Sequence, residues 1–186
     1  MHKSLDSRNP LTDFLSSSIR EFKRLKDYAD KSISRLDDAQ FFQQLDSESN
    51  SIAIIVKHLS GNMKSRWTDF LTTDGEKPFR DRDQEFELHD GNTRLALLED
   101  WEKAWTIFLD TLTKLRESDL SRTITIRGEQ HSVVEAIVRQ IPHYGFHVGQ
   151  IVILAKHLAG PSWQSLSIAK GQSSSFNKDP KTFLEK

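Results

Sequence analysis

Two histidines one helical turn apart, inside an apolar helical pattern, are the feature that most restricts how this chain can fold. His143 and His147 are four residues apart, which on an α-helix is a rotation of about 40° and a rise of about 6 Å. Both imidazoles therefore leave the same helix face. Apolar positions continue that face in both directions: Val133, Ala136, Ile137, Ile151, Leu154 and Leu158. The pattern predicts a helix that points both histidines into a core, where they can bind one ion.

A third histidine, on another apolar helical segment, extends this predicted site. His58 lies in the segment 52–71, whose expected inward positions are Ile54, Ile55, His58, Leu59, Asn62, Met63 and Phe70. Three neutral imidazoles leave one tetrahedral position open for water or substrate, which is typical of catalytic rather than sealed structural metal sites. The sequence therefore predicts a divalent metal ion on His58, His143 and His147.

Two neighbouring amides are candidates for supporting roles. Asn62 follows His58 by one turn, and Gln150 follows His147 by three residues, so either could orient a bound water or fix an imidazole tautomer. The remaining histidines are expected outside the site: His2, His89, His131 and His157. No carboxylate has an evident position at the ion, because no His-Glu-x-x-His motif occurs, and catalytic residues stay unassigned.

Capping signals divide the chain into four long helices within a single domain, residues 1–186. The signals that precede these helices are Asn9-Pro10, Ser49-Asn50-Ser51, Asn92-Thr93 and the capping box from Ser132 to Glu135. The second helix is predicted over 52–71, and the fourth ends at Gly160-Pro161. Pro142 should kink this last helix. The predicted helical core is about 10–160, with the tail 161–186 lying along the bundle.

Two segments break the helical pattern. The first, Thr72–Asn92, is long and polar, and its alternating charges at Arg80–Asp83 favour a solvated surface over a substrate site. The second contains the alternating Thr123–Ile126 before a turn, and predicts a small hairpin or an extended link. Gly61 either lets another element approach the second helix closely or is simply a tolerated helical glycine.

Composition excludes several classes of function. The absence of cysteine excludes disulfides, thiolate metal sites and a cysteine nucleophile. A net charge of −1 gives no electrostatic footprint for nucleic acid or an anionic membrane. No apolar run approaches the ~18 residues of a membrane span, and the first residues lack the apolar run of a signal peptide. We therefore expect a cytoplasmic protein that binds neither nucleic acid nor membrane.

The histidine pattern resembles the DinB/YfiT-like superfamily of metal-binding four-helix bundles. The resemblance rests on His58 and on the His143–Gln150 motif, and it is closest to a bacterial branch without an assigned function. The segments that carry this closer resemblance are His58–Asn62, Arg66–Pro78 and Trp163–Ile168. It implies an all-α, up-down-down-up bundle, often a homodimer, with nickel or zinc on the three histidines. Some members are thiol S-transferases that use bacillithiol or mycothiol, and others isomerise a thiol adduct.

Three hypotheses of function follow from these patterns. The first is a metal-dependent transferase that acts on a small molecule together with a low-molecular-weight thiol. The second is a hydrolase that uses a metal-bound hydroxide. The third is a non-enzymatic dimeric bundle that the metal stabilises. Imidazole ligands suit several divalent metals, so the residues alone do not separate nickel from zinc.

Overall fold

The computed structural model describes residues 9–178, which are mostly helical. The described part of the chain contains six α-helices and one two-stranded antiparallel sheet: α1 (Pro10–Ile33), α2 (Asp38–Phe42), α3 (Ile52–Trp67), α4 (Arg94–Lys114), β1 (Thr123–Ile126), β2 (Glu129–Ser132), α5 (Val133–Ala159) and α6 (Ser173–Lys178). Short 3₁₀ turns cover Asp83–Phe86, Glu117–Asp119 and Gly160–Ser162. The predictions for residues 1–8 and 179–186, which include His2 and the end of the tail, lie outside the described residues.

The four long helices share one apolar core. α3 packs mainly on α4 and α1 mainly on α5, while α3 also contacts α5 and α1 contacts α4. Aromatic rings fill the centre, where Phe108 lies in edge or tilted contact with Phe22, Trp67, Trp105 and Tyr144. These five side chains are at most 1% exposed. Large buried rings contribute most of the apolar area per residue, so this cluster anchors the packing of the helices.

The predicted helix starts are confirmed at their capping residues. The side chains of Asn9, Ser51 and Thr93 each accept a hydrogen bond from a backbone N–H in the first turn of the following helix. Ser132 and Glu135 form the reciprocal capping box of α5. These bonds satisfy backbone donors that have no partner within the helix. The predicted end of α5 is also confirmed, since Gly160 follows the helix with φ 54°.

The second long helix is shorter than predicted. α3 ends at Trp67 rather than at residue 71. Asp69 adopts φ 48°, and the backbone N–H groups of Thr72 and Thr73 bond back to its carbonyl. Aspartate tolerates this left-handed conformation better than most residues. The reversal still buries Phe70, whose ring lies 4.5 Å from that of Trp67.

The segment before α5 is a hairpin, which decides between the two predicted alternatives. In its register Ile126 pairs with Glu129, so Arg127 and Gly128 form a two-residue turn, with φ 55° and 78°. The Asp74 carboxylate accepts the backbone N–H groups of both turn residues. This contact attaches the start of the long 72–92 segment to the hairpin. Among the described helices, none is long and apolar enough to cross a membrane.

Candidate metal centre

Three histidines from two helices meet between α3 and α5. One ring nitrogen from each of His58, His143 and His147 lies within 4.8 Å of the corresponding nitrogens of the other two. The ring centroid of His58 lies 4.9 Å from that of His147 and 5.7 Å from that of His143. His58 is buried, and the other two are partly buried. The structure therefore brings all three predicted ligands close enough for one ion to contact them.

The Nδ1 atom of each of these rings lies within hydrogen-bond distance of a side-chain oxygen. His58 Nδ1 lies 2.8 Å from Glu85 Oε2, His143 Nδ1 lies 3.1 Å from Gln140 Oε1, and His147 Nδ1 lies 2.8 Å from Gln150 Oε1. An acceptor at Nδ1 requires the proton there, which leaves the lone pair on Nε2. Outer hydrogen bonds of this kind orient histidine ligands in metal sites. The donor set therefore has the chemistry that a divalent ion requires.

Glu85 is the principal residue that the sequence analysis missed. It lies in the 3₁₀ turn of the 72–92 segment, is 6% exposed, and accepts two hydrogen bonds from Arg80 in addition to the one from His58. Burial raises the pKa of this carboxyl, but the hydrogen bonds from His58 and Arg80 outweigh burial, so its pKa is lowered and the group is ionised. Because its carboxylate is ionised, Glu85 can only accept hydrogen bonds.

The prediction that Arg80–Asp83 form a solvated surface is wrong for Arg80. Its side chain is 3% exposed, and its guanidinium also pairs with Glu76 at 3.2 Å. Asp83, by contrast, is almost fully exposed. Alternating charges in a sequence do not reveal which side chain faces inward when the segment is neither helix nor strand. The tertiary fold turns one arginine of this run toward His58.

Gly61 explains how this loop reaches the helix. A Cβ atom at position 61 would lie 2.7 Å from the Glu85 carboxyl carbon and closer still to one of its oxygens. The close approach that the sequence analysis offered as one of two alternatives is therefore present, and Glu85 is the approaching residue. Only the missing side chain of glycine leaves room for the carboxylate beside His58.

A buried amide network fixes the second histidine. Trp67 Nε1, which can only donate, bonds to the Tyr144 hydroxyl at 3.1 Å, so this hydroxyl donates in turn to Asn62 Oδ1 at 3.2 Å. Gln140 Nε2 lies 3.5 Å from the same Asn62 oxygen, and Gln140 Oε1 faces His143. Asn62 thus acts on His143 through Gln140, whereas Gln150 contacts His147 directly. Gln140 was not predicted, although its spacing of three residues before His143 was a usable signal.

The electrostatic surroundings keep two of the histidines neutral. Burial, followed by the nearby His147, His58, Arg80 and Arg66, lowers the pKa of His143 to about 4. Burial and His58 also lower the pKa of His147, against an opposing hydrogen bond to Gln150. Neutral imidazole is the form that binds metals. Both groups are therefore ready to coordinate an ion without first releasing a proton at neutral pH.

The histidines open into a cavity of about 610 Å³ that is lined by arginine. Its cationic lining residues are Arg66, Arg80, Arg82, Arg127 and Arg139. Among the described residues, no aspartate or glutamate lines it. Phe86 and Phe146 supply apolar wall, and the ring of Phe86 lies 4.8 Å from that of His58. The cavity has the size of a small-molecule site.

The remaining described histidines do not join the group. His89 bonds to Gln84 at 3.1 Å, and His131 lies on β2 opposite Ile124. His157 is in the last turn of α5 and is exposed. In the range 9–178, His58, His143 and His147 form the one set of at least three metal-ligating side chains found close together.

The comparisons with known proteins identify a family. The family model described as "Protein of unknown function (DUF1572)" matches residues 9–172, which include all three histidines and the arginine-lined cavity. Comparison with curated proteins and with solved structures finds no match. Since the family model spans most of the sequence, the chain belongs to the family described as "Protein of unknown function (DUF1572)".

Proposed function

We propose that this protein is a divalent-metal-dependent transferase that acts on a small molecule together with a low-molecular-weight thiol. We further propose that its fold is a four-helix bundle of the DinB/YfiT-like type, with nickel or zinc on His58, His143 and His147. One observation carries the proposal: each of the three rings has its Nδ1 bonded to an oxygen acceptor, and all three converge at an open cavity. Structural metal sites are usually sealed, whereas catalytic ones keep access to substrate.

Different residues of the chain would orient the metal ligands and contact the small molecule at such a site. Glu85, Gln140 and Gln150 orient the three imidazoles, which reduces the reorganisation that ion binding requires. A divalent ion bound there supplies a Lewis acid that lowers the pKa of a thiol and stabilises its thiolate. Phe86 and Phe146 offer apolar surface against which the uncharged parts of a small molecule can pack.

The lining of the cavity favours a thiol over water as the nucleophile. None of the described lining residues carries a carboxylate that could take a proton from water. A thiol has an ordinary pKa of about 8.5 and needs far less help to ionise than water does. This difference favours thiol transfer over hydrolysis for the same three ligands.

The test is thiol conjugation in protein of defined metal content. Purified protein is analysed for metals, stripped with a chelator, and reloaded with zinc or nickel. We expect conjugation of a small thiol to a model electrophile such as chlorodinitrobenzene only in the reloaded protein. His147→Ala should lose both the metal and the activity, whereas His157→Ala, on the same helix but outside the site, should keep both. Conjugation by metal-free protein or by His147→Ala would contradict the proposal.

Two other outcomes would select the alternative functions. Metal-dependent turnover of an ester or phosphate without thiol would indicate the hydrolase. A metal-dependent rise in melting temperature, with no thiol binding and no turnover, would indicate a non-enzymatic bundle. Light scattering of the same samples tests the homodimer, which stays a prediction.

A further inference from the structure

The cavity has two chemically different ends. α3 and α5 run antiparallel, because His58 contacts His147 whereas Asn62, further along α3, contacts Gln140, earlier in α5. Arg66 lies further along α3 than Asn62, and Arg139 comes just before Gln140 in α5. Both arginines line the cavity. Arg66 follows His58 by eight residues, which is about 12 Å along the helix axis. The histidines thus occupy one end of the cavity and two arginines the other.

Two of the arginines at the cavity are hydrogen-bonded to carboxylates, whereas Arg66 makes no hydrogen bond to a described residue. Arg80 is held by Glu85 and Glu76, and Arg127 is held by Glu76. Arg66 is 95% buried, since its exposed fraction is 5%, and its Nε and Nη1 atoms have no hydrogen-bond partner. Its remaining nitrogen lies 3.9 Å from Glu76, which is beyond hydrogen-bond distance.

Leaving a buried guanidinium without hydrogen bonds is unfavourable for the protein. Burial, together with the like charges of Arg80 and Arg139, lowers the pKa of Arg66 despite the opposing influence of Glu76. A buried charge normally acquires partners that replace its lost hydration. Arg139 is exposed and forms no ion pair with any described residue, so it adds positive charge at this end.

The backbone around Arg66 is arranged to hold it there. A Cβ atom at position 75 would lie 3.0 Å from Arg66 Cδ and Nη1, so Gly75 gives the side chain its space. Ser65 fixes the same loop by donating to the Gly75 carbonyl and accepting from the Lys77 backbone N–H, both at 3.0 Å. Asp74 ties that loop to the hairpin turn. The Gly75 loop thus packs against one side of Arg66, whose side chain also lines the cavity.

We infer that Arg66, supported by Arg139, is the binding site for an anionic group of the substrate, a carboxylate or a phosphate. The guanidinium of Arg66 lacks hydrogen-bond partners in the protein, and a planar guanidinium pairs well with the oxygens of either group. The substrate is then a small organic anion whose reactive part lies at the histidines while its charged end lies at Arg66. This inference rests on the proposed function only for the identity of the reactive end, since the anion site needs no metal.

The experiment measures anion binding by calorimetry in chelator-treated protein at fixed ionic strength. Succinate and inorganic phosphate are the probes, and succinamide is the neutral counterpart of succinate. We expect binding of at least one anion and none of succinamide. Stronger binding of succinate indicates a carboxylate substrate, and stronger binding of phosphate indicates a phosphate. Arg66→Gln should weaken binding about ten- to hundredfold, as expected for the loss of charge-assisted hydrogen bonds.

A matched variant separates local binding from a change in net charge. Arg20→Gln removes the same charge from α1, where Arg20 bonds only to Ser17 among the described residues, and it should bind the anion as the unaltered protein does. Without anion, Arg66→Gln should melt at the same temperature as the unaltered protein or above it, because a buried charge without hydrogen bonds is removed. Equal anion affinity in both variants, or a clear loss of stability in anion-free Arg66→Gln, would overturn the inference.

Zinc titration of the same samples separates this inference from the proposed function. Normal zinc binding together with no anion binding in the unaltered protein would reject the anion site and leave the metal site standing. Anion binding that depends on Arg66, in a protein that binds no zinc, would reject the metal site alone.

Discussion

His58 and Glu85 are 27 residues apart in the sequence, and Nδ1 of the first lies 2.8 Å from Oε2 of the second. This hydrogen bond joins a core helix to the long polar 72–92 segment. It fixes the tautomer of one candidate ligand, and it places the buried carboxylate between His58 and Arg80. The 72–92 segment is therefore part of the candidate metal centre.

Glu85→Gln tests the importance of that buried charge. The amide keeps the size of the side chain but removes the negative charge that Arg80 and His58 share. We expect a loss of about 3 kcal/mol in the free energy of unfolding, as for a broken buried ion pair, and weaker zinc binding. Urea denaturation and zinc titration measure the two effects. Asp83→Asn, in the same turn but exposed, should change neither, and a stable Glu85→Gln with normal zinc affinity would contradict this role.

Gly61→Ala tests the close approach of the loop to α3. Alanine is favoured over glycine in a helix by about 1 kcal/mol, yet its Cβ would overlap the Glu85 carboxylate. We therefore expect lower thermal stability and reduced zinc affinity. Gly145→Ala is the matched control on α5, where a Cβ has nothing within 4 Å, and it should raise the melting temperature. Equal stabilisation by both substitutions would show that the Glu85 side chain can move away from position 61 without cost, and would contradict the prediction.

Gln150→Leu tests the hydrogen bond behind His147. The substitution keeps the bulk of the side chain but leaves His147 Nδ1 without its acceptor. Loss of an outer partner of this kind lowers metal affinity about ten- to hundredfold. Zinc titration against a competing chelator measures the change. Gln164→Leu, whose side chain is exposed outside the cavity, should retain full affinity, and an equally tight Gln150→Leu would remove Gln150 from the site.

Tyr144→Phe tests the buried network behind His143. The change removes the hydroxyl that joins Trp67 to Asn62 and leaves the Trp67 indole N–H without a partner. We expect a loss of about 1–3 kcal/mol in the free energy of unfolding, measured by urea denaturation. Tyr28→Phe is the control, because the Tyr28 hydroxyl makes no hydrogen bond to any described residue. Similar stability of the two variants would show that the network contributes little.

The stability of the metal-free protein should depend on pH through His143. Its pKa is about 4 in the folded protein and has an ordinary value of 6.5, so between these values the unfolded chain binds a proton that the folded protein does not. Acid therefore favours unfolding: the contribution of the neutral histidine is complete above pH 6.5 and is lost as the pH falls toward 4. His147 acts in the same direction.

Urea denaturation at pH 7.5, 6 and 5 measures this dependence. His143→Gln should flatten the decline in the free energy of unfolding, whereas His157→Gln should leave it unchanged. Glu85 contributes a decline only around and below pH 4.5, because the unfolded chain binds its proton near that ordinary value while the pKa of Glu85 in the folded protein is lower. An equally steep decline in His143→Gln would assign the effect to other groups.

Local chemistry in the sequence was sufficient to predict the helix starts and the placement of the histidine pair. A capping side chain acts on backbone groups two or three residues away, and the spacing of His143 and His147 is a property of one helix. The hairpin turn at Arg127-Gly128 was one of two predicted alternatives, and the distant Asp74 carboxylate also holds it. The helix starts and the spacing of the histidine pair depend on neighbouring residues, so they could be predicted before any tertiary contact was known.

Only the tertiary structure decided which polar residues surround the histidines. Glu85 and Arg80 lie in an irregular segment, where no periodicity reveals which side chains face inward. The net charge of −1 gave no indication that five arginines line one cavity, because total charge carries no information about position. Burial and pairing of charges depend on contacts between residues far apart in the chain, and these contacts exist only after the helices have packed.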